Sequence, residues 1–269
     1  MVNLVLPRLV DIAAASRRSA SVTGRNVAAL RSVYWLLLIS GLVEPLLYLL
    51  SIGVGVGALI GDLTLPGGAV VTYAAFVAPA MLASSAMSGA LAETTFNFFG
   101  KLKYMKLYDG VIATPVQPFE IALGELAWAM LRGSAYSAAF LVVMVGMELT
   151  APARALAAFP AAVLVGFTFG ALGMAIATFL RSWQEFDLIN SAQFTLFLFS
   201  GTFVPAEAYP ALLRWLIEVT PLYRAVHLIR GLTVGTADWG LLLDVGYLLA
   251  VLAAGLLIAS RRMNRLLYR

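Results

Sequence analysis

Residues 156–180, LAAFPAAVLVGFTFGALGMAIATFL, form an apolar stretch without a single charged side chain. An α-helix rises about 1.5 Å per residue, so about 20 apolar residues are enough to cross the hydrocarbon core of a bilayer. A stretch of this length and composition is typical of a transmembrane helix, because helices in soluble proteins rarely stay apolar for so long. Residues 156–180 therefore predict a membrane span.

The rest of the chain has the same character. Of its 269 residues, 61% are hydrophobic and only 12% are charged, and the mean hydropathy is +0.91. Soluble domains carry about 25% charged residues, because charge keeps a folded surface solvated. The composition therefore predicts an all-α integral membrane protein that forms one domain over residues 1–269. Further apolar stretches bring the predicted transmembrane helices to six, the other five being residues 33–57, 70–91, 121–147, 188–204 and 241–260.

The basic residues predict the orientation of the chain. Most of the 18 lysines and arginines fall on the cytoplasmic side when both termini are placed there, as the positive-inside rule requires. We therefore expect a multi-pass protein of the inner (plasma) membrane with no nucleic-acid partner, since anionic membrane lipid explains the basic charge. The beginning of the chain lacks the pattern of a cleaved signal peptide. Residues 8–32 fit either an amphipathic interface helix or a solvated basic anchor.

The residue inventory excludes several kinds of chemistry. The chain has no cysteine and a single histidine, His227, so we expect no metal cluster and no catalytic site. Its Gly100-Lys101 pair lacks the upstream glycine of a phosphate-binding loop, so we expect no nucleotide site. The energy for any transport would then come from a partner chain or from an ion gradient.

Three segments carry a family resemblance. Residues 44–61 read EPLLYLLSIGVGVGALIG, residues 113–125 read ATPVQPFEIALGE, and the third segment contains SGTFVP at 200–205 and TPLYRAVHLIRG at 220–231. In this order, and together with the basic tail RRMNRLLYR, they resemble the ABC-2 type exporter permeases. The resemblance is strongest to the branch that exports lipo-oligosaccharide nodulation signals and related drugs or glycolipids. It extends over nearly the whole chain.

This resemblance implies a division of labour between subunits. Such permeases have an amino-terminal interface helix, a cytoplasmic coupling helix between the second and third spans, and short re-entrant outer helices before the sixth. Two permease subunits, identical or different, assemble with two nucleotide-binding ATPase subunits, which bind the ATP and Mg. The permease itself is not an enzyme and carries no cofactor. Its substrate would be amphipathic, such as a glycolipid, a lipid-linked saccharide or a lipophilic drug exported from the inner membrane.

The loop predicted between the second and third spans, residues 93–125, contains the candidate ATPase-coupling residues. Aromatic side chains anchor many protein interfaces, so an exposed aromatic ridge with lysines would fit a groove on a soluble partner. An interfacial aromatic belt with positive-inside lysines is the alternative. The coupling candidates are Phe98, Phe99, Lys101, Lys103, Tyr104, Lys106 and Tyr108.

Charged side chains within spans form the second set of candidates, because a charge in hydrocarbon is costly and often functional. This set consists of Glu44, Glu125, Arg132 and Asp244. Glu125 and Arg132 share a helix face but lie about two turns apart, so each is expected to seek a partner elsewhere. Pairing between helices would make these charges structural. A proton relay would instead make the chain a secondary transporter driven by an ion gradient.

Overall fold

The computed structural model describes residues 18–26, 28, 43, 45–64, 68, 70–236 and 238–267. Glu44 and residues 33–42 of the predicted first span lie outside the described residues. So does much of the predicted interface helix at residues 8–32, of which residues 18–26 are helical. We refer to residues 18–26 as the amino-terminal segment.

The described chain is helical apart from one short hairpin. In this hairpin Asp62–Thr64 pairs antiparallel with Val70–Thr72, and Leu63 lies opposite Val71. Single turns of 3-10 helix occur at Trp183–Glu185 and Ala206–Ala208. In chain order the elements are α1 (Pro45–Ile60), β1 (Asp62–Thr64), β2 (Val70–Thr72), α2 (Tyr73–Tyr104), α3 (Leu107–Val111), α4 (Pro118–Gly146), α5 (Pro152–Ala177), α6 (Phe186–Leu198), α7 (Ala211–Val219), α8 (Pro221–Val234) and α9 (Gly240–Leu267).

Four of the described helices, α2, α4, α5 and α9, are long and apolar enough to cross a membrane. They contain 32, 29, 26 and 28 residues, whereas about 20 suffice for a span. The chain is thus an all-α membrane protein, as predicted. Helix α6 has only 13 residues, so it is shorter than the fifth span that was predicted at residues 188–204.

Helix α6 ends early because the chain turns and is held by a tertiary contact. Gly201 adopts a left-handed conformation with φ +70°, which favours glycine and breaks the helix. Arg230 on α8 donates hydrogen bonds to the carbonyl oxygens of Gly201 at 2.8 Å and of Phe76 at 3.1 Å. This arginine fastens the segment after α6 to both α8 and α2.

Helix α2 is longer than the predicted span, and this corrects the prediction that Glu93 begins a loop. The chain continues as helix through wide π-type turns at Ala92–Asn97 and Gly100–Tyr104. The hydroxyl groups of Thr94 and Thr95 bond back to the carbonyl oxygens one turn earlier. Because Glu93, Thr94 and Thr95 are buried, helical pairing satisfies backbone groups that a loop would leave unpaired.

Helix α5 lies at the centre of the bundle, packed against α2, α4, α8 and α9. Its packing against α9 requires a glycine, since a Cβ on Gly255 would lie 2.9 Å from the backbone carbon of Ala171. Small residues let membrane helices approach this closely. The ends of α2, α5 and α9 and the starts of α4 and α6 lie together, and we call this the basic end because Lys101, Lys103, Lys106 and Arg262 lie there.

Candidate functional site

The centre of the basic end is a buried carboxylate, Glu125 on α4, whose side chain is only 4% exposed. It accepts hydrogen bonds from Arg25 at 2.9 Å, from the amide of Asn26 at 2.9 Å and from Lys101 at 2.6 Å. Arg25 and Asn26 belong to the amino-terminal segment, and Lys101 to the last turns of α2. One carboxylate therefore joins three parts of the chain, and we call this arrangement the Glu125 node.

Further contacts hold the amino-terminal segment along the start of α4. Arg18 pairs with Glu120 at 2.6 Å, and the hydroxyl of Thr23 donates to the carbonyl oxygen of Gly124 at 2.9 Å. A Cβ on Gly124 would lie 2.7 Å from the carbonyl oxygen of Ser19, so glycine permits this close approach. Glu120 also accepts from the backbone N–H of Gln117, closing a capping box at the start of α4. A hydrogen bond to the backbone of α4, close packing at Gly124 and an ion pair with Glu120 therefore hold the segment against α4.

The prediction that these aromatic side chains form an exposed ridge is wrong for three of them. Phe98, Phe99 and Tyr108 are almost completely buried inside this chain, because they pack against α4, α5 and α9 at the basic end. Burial, and then the negative charge of Glu125, raise the pKa of Tyr108 well above its ordinary value. Tyr108 is therefore a neutral core residue, and these three rings cannot anchor a soluble partner directly.

The other coupling candidates divide between the Glu125 node and the surface. Lys101 is engaged with Glu125 and is only 18% exposed at its side chain. Lys103, Tyr104 and Lys106 are exposed at the tip of α2 and the turn that follows. Lys106 adopts a positive φ of 47°, an uncommon conformation for a residue other than glycine. We call Lys103–Lys106 the tip, and it is the part of the predicted coupling surface that remains accessible.

The structure identifies the ion-pair partner of Arg132, which the sequence alone did not indicate. Its guanidinium lies 2.9 Å from the carboxylate of Glu93, across the interface between α4 and α2. Glu93 also accepts from the indole N–H of Trp128 at 3.1 Å and from Asn97 at 2.8 Å. Glu93 was not among the predicted buried charges, because it was assigned to a loop.

Asp244 forms a similar pair at the opposite end of the bundle. It is completely buried on α9 and lies 3.2 Å from Arg224 and 2.6 Å from Nδ1 of His227, both on α8. All four buried carboxylates of the described residues, Glu93, Glu120, Glu125 and Asp244, therefore have basic partners. Within the same part of the chain, no group of three or more His, Asp or Glu side chains is placed to hold a metal ion.

A cavity of about 770 Å³ opens between α1, α2, α4 and α6. Its wall combines hydroxyl, amide and aromatic side chains, and Arg132 contributes a charge already paired to Glu93. Ser84 Oγ is buried without a hydrogen-bond partner among the described residues, whereas Ser88 accepts from Gln193 of α6 at 2.7 Å. We call this cavity the groove; polar groups on its wall include Ser84, Ser85, Ser88, Arg132, Asn190 and Gln193.

Sequence reasoning missed two aromatic residues that border the groove, Trp183 and Phe186. Their rings contact those of Phe96, Phe99 and Tyr104 at the end of α2. The pattern that could have indicated them in the sequence is a pair of large aromatic residues three positions apart, shortly after Arg181. Their contact with α2, about 80 residues earlier in the sequence, has no counterpart in the local pattern.

Comparison with known proteins agrees with this architecture. A family model described as "ABC-2 type transporter" matches residues 20–234. Nodulation protein J of Rhizobium leguminosarum bv. trifolii is 30% identical over 250 residues, which cover 93% of this chain and 94% of that protein. Nodulation protein J of Rhizobium leguminosarum bv. viciae is 27% identical over 250 residues, with 93% and 95% covered. That of Rhizobium meliloti (strain 1021) is 29% identical over 217 residues, with 80% and 81% covered.

The residues matched by the family model include α2, α4, α5, the Glu125 node and the groove. The resemblance to permeases of the nodulation branch, which was predicted from three sequence segments, is confirmed. A helical membrane chain without a phosphate-binding loop fits the transmembrane part of such a transporter. The chain belongs to the ABC-2 type transporter family.

Proposed function

We propose that this chain is the permease subunit of an ATP-driven exporter that moves an amphipathic substrate out across the inner membrane. The substrate is a glycolipid, a lipid-linked saccharide or a lipophilic drug. A separate ATPase binds ATP and Mg and supplies the energy, and two permease subunits, identical or different, form the pathway. The chain crosses the membrane six times with both termini in the cytoplasm, so that the basic end faces the ATPase.

The observation that carries this proposal is the Glu125 node. A coupling device must receive force from a soluble partner and pass it to membrane helices as one body. Glu125 ties the amino-terminal segment, the end of α2 and the start of α4 together through bonds of 2.6–2.9 Å. Charge-assisted hydrogen bonds of this length are roughly twice as strong as neutral ones. The tip lies a few residues beyond Lys101. We therefore expect a displacement of the tip to move α4 together with the end of α2.

The groove supports the amphipathic character of the substrate. Its wall presents Ser84 Oγ, which has no hydrogen-bond partner among the residues that the structure describes, and the aromatic rings of Tyr48, Phe194 and Phe197. A buried polar atom without a partner costs about 1–3 kcal/mol, so a ligand hydroxyl or amide that reaches Ser84 would be favoured. The aromatic side chains would meet the apolar part of the same molecule. We propose that the second permease subunit covers the open side of the groove, along α1 and α6.

The topology of the proposal extends the described helices. In this proposal α1 belongs to the first span, predicted at residues 33–57, and the region of α6 forms the fifth, predicted at residues 188–204. Helices α7 and α8 are the short re-entrant helices before the last span; α7 is amphipathic, with Leu212 and Trp215 exposed and an Arg214–Glu218 pair on its polar side. Exposed aromatic and apolar side chains on such a helix fit the membrane interface.

The alternative, a transporter driven by an ion gradient, would use buried carboxylates that exchange protons. Glu93, Glu120, Glu125 and Asp244 instead each lie within 3.2 Å of a basic side chain. These ion pairs occupy the carboxylate oxygens with charge-assisted hydrogen bonds between parts of the fold. This pairing supports the structural interpretation of the buried charges, and with it the ATP-driven function.

The test is to purify the chain from its native membrane in mild detergent and to measure co-purifying ATPase and substrate-stimulated ATP hydrolysis. We expect a stoichiometric ATPase subunit. A chain that is folded, repeatedly free of ATPase, and still active in transport until a protonophore is added would overturn the proposal in favour of the gradient-driven transporter.

Variants of the tip test the coupling assignment within that complex. Replacing Lys103 and Lys106 together with alanine should leave the permease folded, because both side chains are exposed. ATP hydrolysis should then lose its dependence on substrate, and export should fall. Tyr108 is unsuitable for this experiment because its ring is fully buried. The matched control replaces Arg261 and Arg265 with alanine. Both are exposed at the same end on α9, and in this variant ATP hydrolysis should still depend on substrate.

A further inference from the structure

A cluster of five aromatic rings lies between the end of α2 and the start of α6, with Trp183 at its centre. The Trp183 ring centroid lies 4.7 Å from that of Phe96, 5.1 Å from Phe99, 5.2 Å from Tyr104 and 5.3 Å from Phe186. It stacks on Tyr104 at an interplanar angle of 26° and meets Phe99 edge-on at 86°. These are the stacked and edge-to-face geometries that aromatic pairs prefer.

This cluster is the principal attachment of α6 at the basic end. Phe186 is the one buried residue of α6, and it lies in the cluster, 5.3 Å from Phe99. Further along α6, the contacting side chains are only half-buried: Gln193 donates to Ser88, Phe197 meets Tyr48 at 5.8 Å, and Ile189 and Leu196 pack against the core. A helix held by few buried contacts moves more easily than one packed on several sides.

The cluster also separates the tip from the groove. Phe96, Trp183 and Phe186 form part of the groove wall. On the other side Tyr104, which stacks on Trp183, is 57% exposed at the tip. A displacement of the tip therefore reaches Trp183, in the turn that precedes α6, through the direct ring contact with Tyr104.

We propose that Trp183 is a positioning residue for transport, which transfers movement of the end of α2 to α6 and so sets the width of the groove. This inference rests on the proposed function, because it needs an ATPase that moves the tip. It extends that function by naming the residue through which the groove responds. Trp183 acts through the position of α6, whether or not it also touches the substrate.

The absence of cysteine from the chain permits a direct test. Ser88→Cys and Gln193→Cys introduce two thiols across the groove, at positions where Gln193 Nε2 lies 2.7 Å from Ser88 Oγ. Because cysteine is shorter than glutamine, a short bifunctional thiol reagent is used to join the two sulfurs. Cross-linking is measured in the complex with its ATPase, without nucleotide and with ATP plus vanadate. We expect efficient cross-linking without nucleotide and a clear change in its rate when nucleotide is trapped.

Trp183→Ala in the same double-cysteine chain should lower the cross-linking yield without nucleotide and abolish the response to trapped nucleotide. Trp183→Phe, which keeps a ring, should restore both. Trp239→Ala is the matched control, because Trp239 is 84% exposed and lies outside the cluster, and it should behave like the parent. If Trp183→Ala does not assemble, Trp183→Leu removes the aromatic contacts while keeping apolar bulk and is expected to show the same two losses.

Two results would overturn the inference. The first is an unchanged cross-linking yield and nucleotide response in the assembled Trp183→Ala or Trp183→Leu chain, which leaves the proposed function intact. The second is a parent complex that exports by ATP hydrolysis while its cross-linking rate ignores nucleotide. A parent chain with no ATPase partner would instead refute the proposed function, and the inference would fall with it.

Discussion

Helices α5 and α6 are both apolar, yet α5 is largely buried within the chain and α6 is largely exposed. Helix α5 is surrounded by α2, α4, α8 and α9, and residues such as Val165, Gly170 and Met174 are buried along its length. Helix α6 has one buried residue, Phe186, and leaves Leu188 and Phe194 exposed. Lipid and protein satisfy an apolar side chain about equally well, so hydrophobicity does not decide which helix is packed.

Small residues and polar contacts account for the difference. Helix α5 carries Gly166, Gly170 and Gly173 toward α4 and α2, whereas α6 contains no glycine. Close approach between backbones increases van der Waals contact, which is the main attraction between helices in lipid. Helix α6 depends instead on the Trp183 cluster and on the Gln193–Ser88 hydrogen bond. This difference supports the proposal that the α4–α5 pair is the rigid part of the chain and that α6 is the element that moves.

The largest expected effect comes from removing the charge that locks α4 to its neighbours. Glu125→Ala leaves Arg25 and Lys101 without their carboxylate, and we expect a loss of about 3–5 kcal/mol in the free energy of unfolding. The change is measured by denaturant unfolding in mild detergent. Glu218→Ala is the control: it breaks an exposed pair with Arg214 and should cost about 1 kcal/mol or less. Equal losses in both variants would show that the Glu125 node is not a rigid centre.

A pair of truncations tests the contrast between α5 and α6 directly. Met174→Ala removes a fully buried side chain from α5, and we expect a loss of at least about 2 kcal/mol from lost packing and cavity formation. Leu188→Ala shortens a side chain of α6 that is 74% exposed, and it should cost less than about 0.5 kcal/mol. The same unfolding measurement applies to both. A large loss for Leu188→Ala in the isolated chain would contradict the view that α6 is weakly packed.

A smaller effect than those of Glu125→Ala and Met174→Ala is expected for the hydrogen bond across the groove. Gln193→Ala removes the donor to Ser88, which should cost about 1 kcal/mol of stability. A double-mutant cycle with Ser88→Ala measures the coupling between the two residues, and we expect a nonzero interaction energy because they are in contact. Additive effects would mean that this bond does not hold α6 against α2.

The predictions from sequence succeeded where the signal is local. Uninterrupted apolar stretches such as residues 156–180 indicated membrane helices, because the bilayer imposes a length and a polarity on any span. Three ordered motifs were enough to indicate the ABC-2 family. The structural interpretation of Glu125, Arg132 and Asp244, as members of pairs between helices, agrees with the contacts of each, although the partners could not be named.

Predictions failed where the outcome depended on tertiary contacts. Phe98, Phe99 and Tyr104 belong to one aromatic and basic stretch, yet the first two are buried and the third is exposed. Nothing in the local composition separates them, because the faces of α2 that become covered depend on where α4 and Trp183 lie. The assignment of Glu93 to a loop failed for the same reason, since Trp128 and Arg132 stabilise it within a helix.

The sequence alone was enough to identify a helical membrane chain of the ABC-2 family. These properties follow from composition, span length and short motifs, all of which act locally. Only the tertiary structure decided that Glu125 pairs with Arg25 and Lys101, that Trp183 joins α2 to α6, and that Ser84 borders a groove. Such contacts join residues up to 100 positions apart in the chain, and the physical reason is that burial and pairing depend on distances that exist only after the helices have packed.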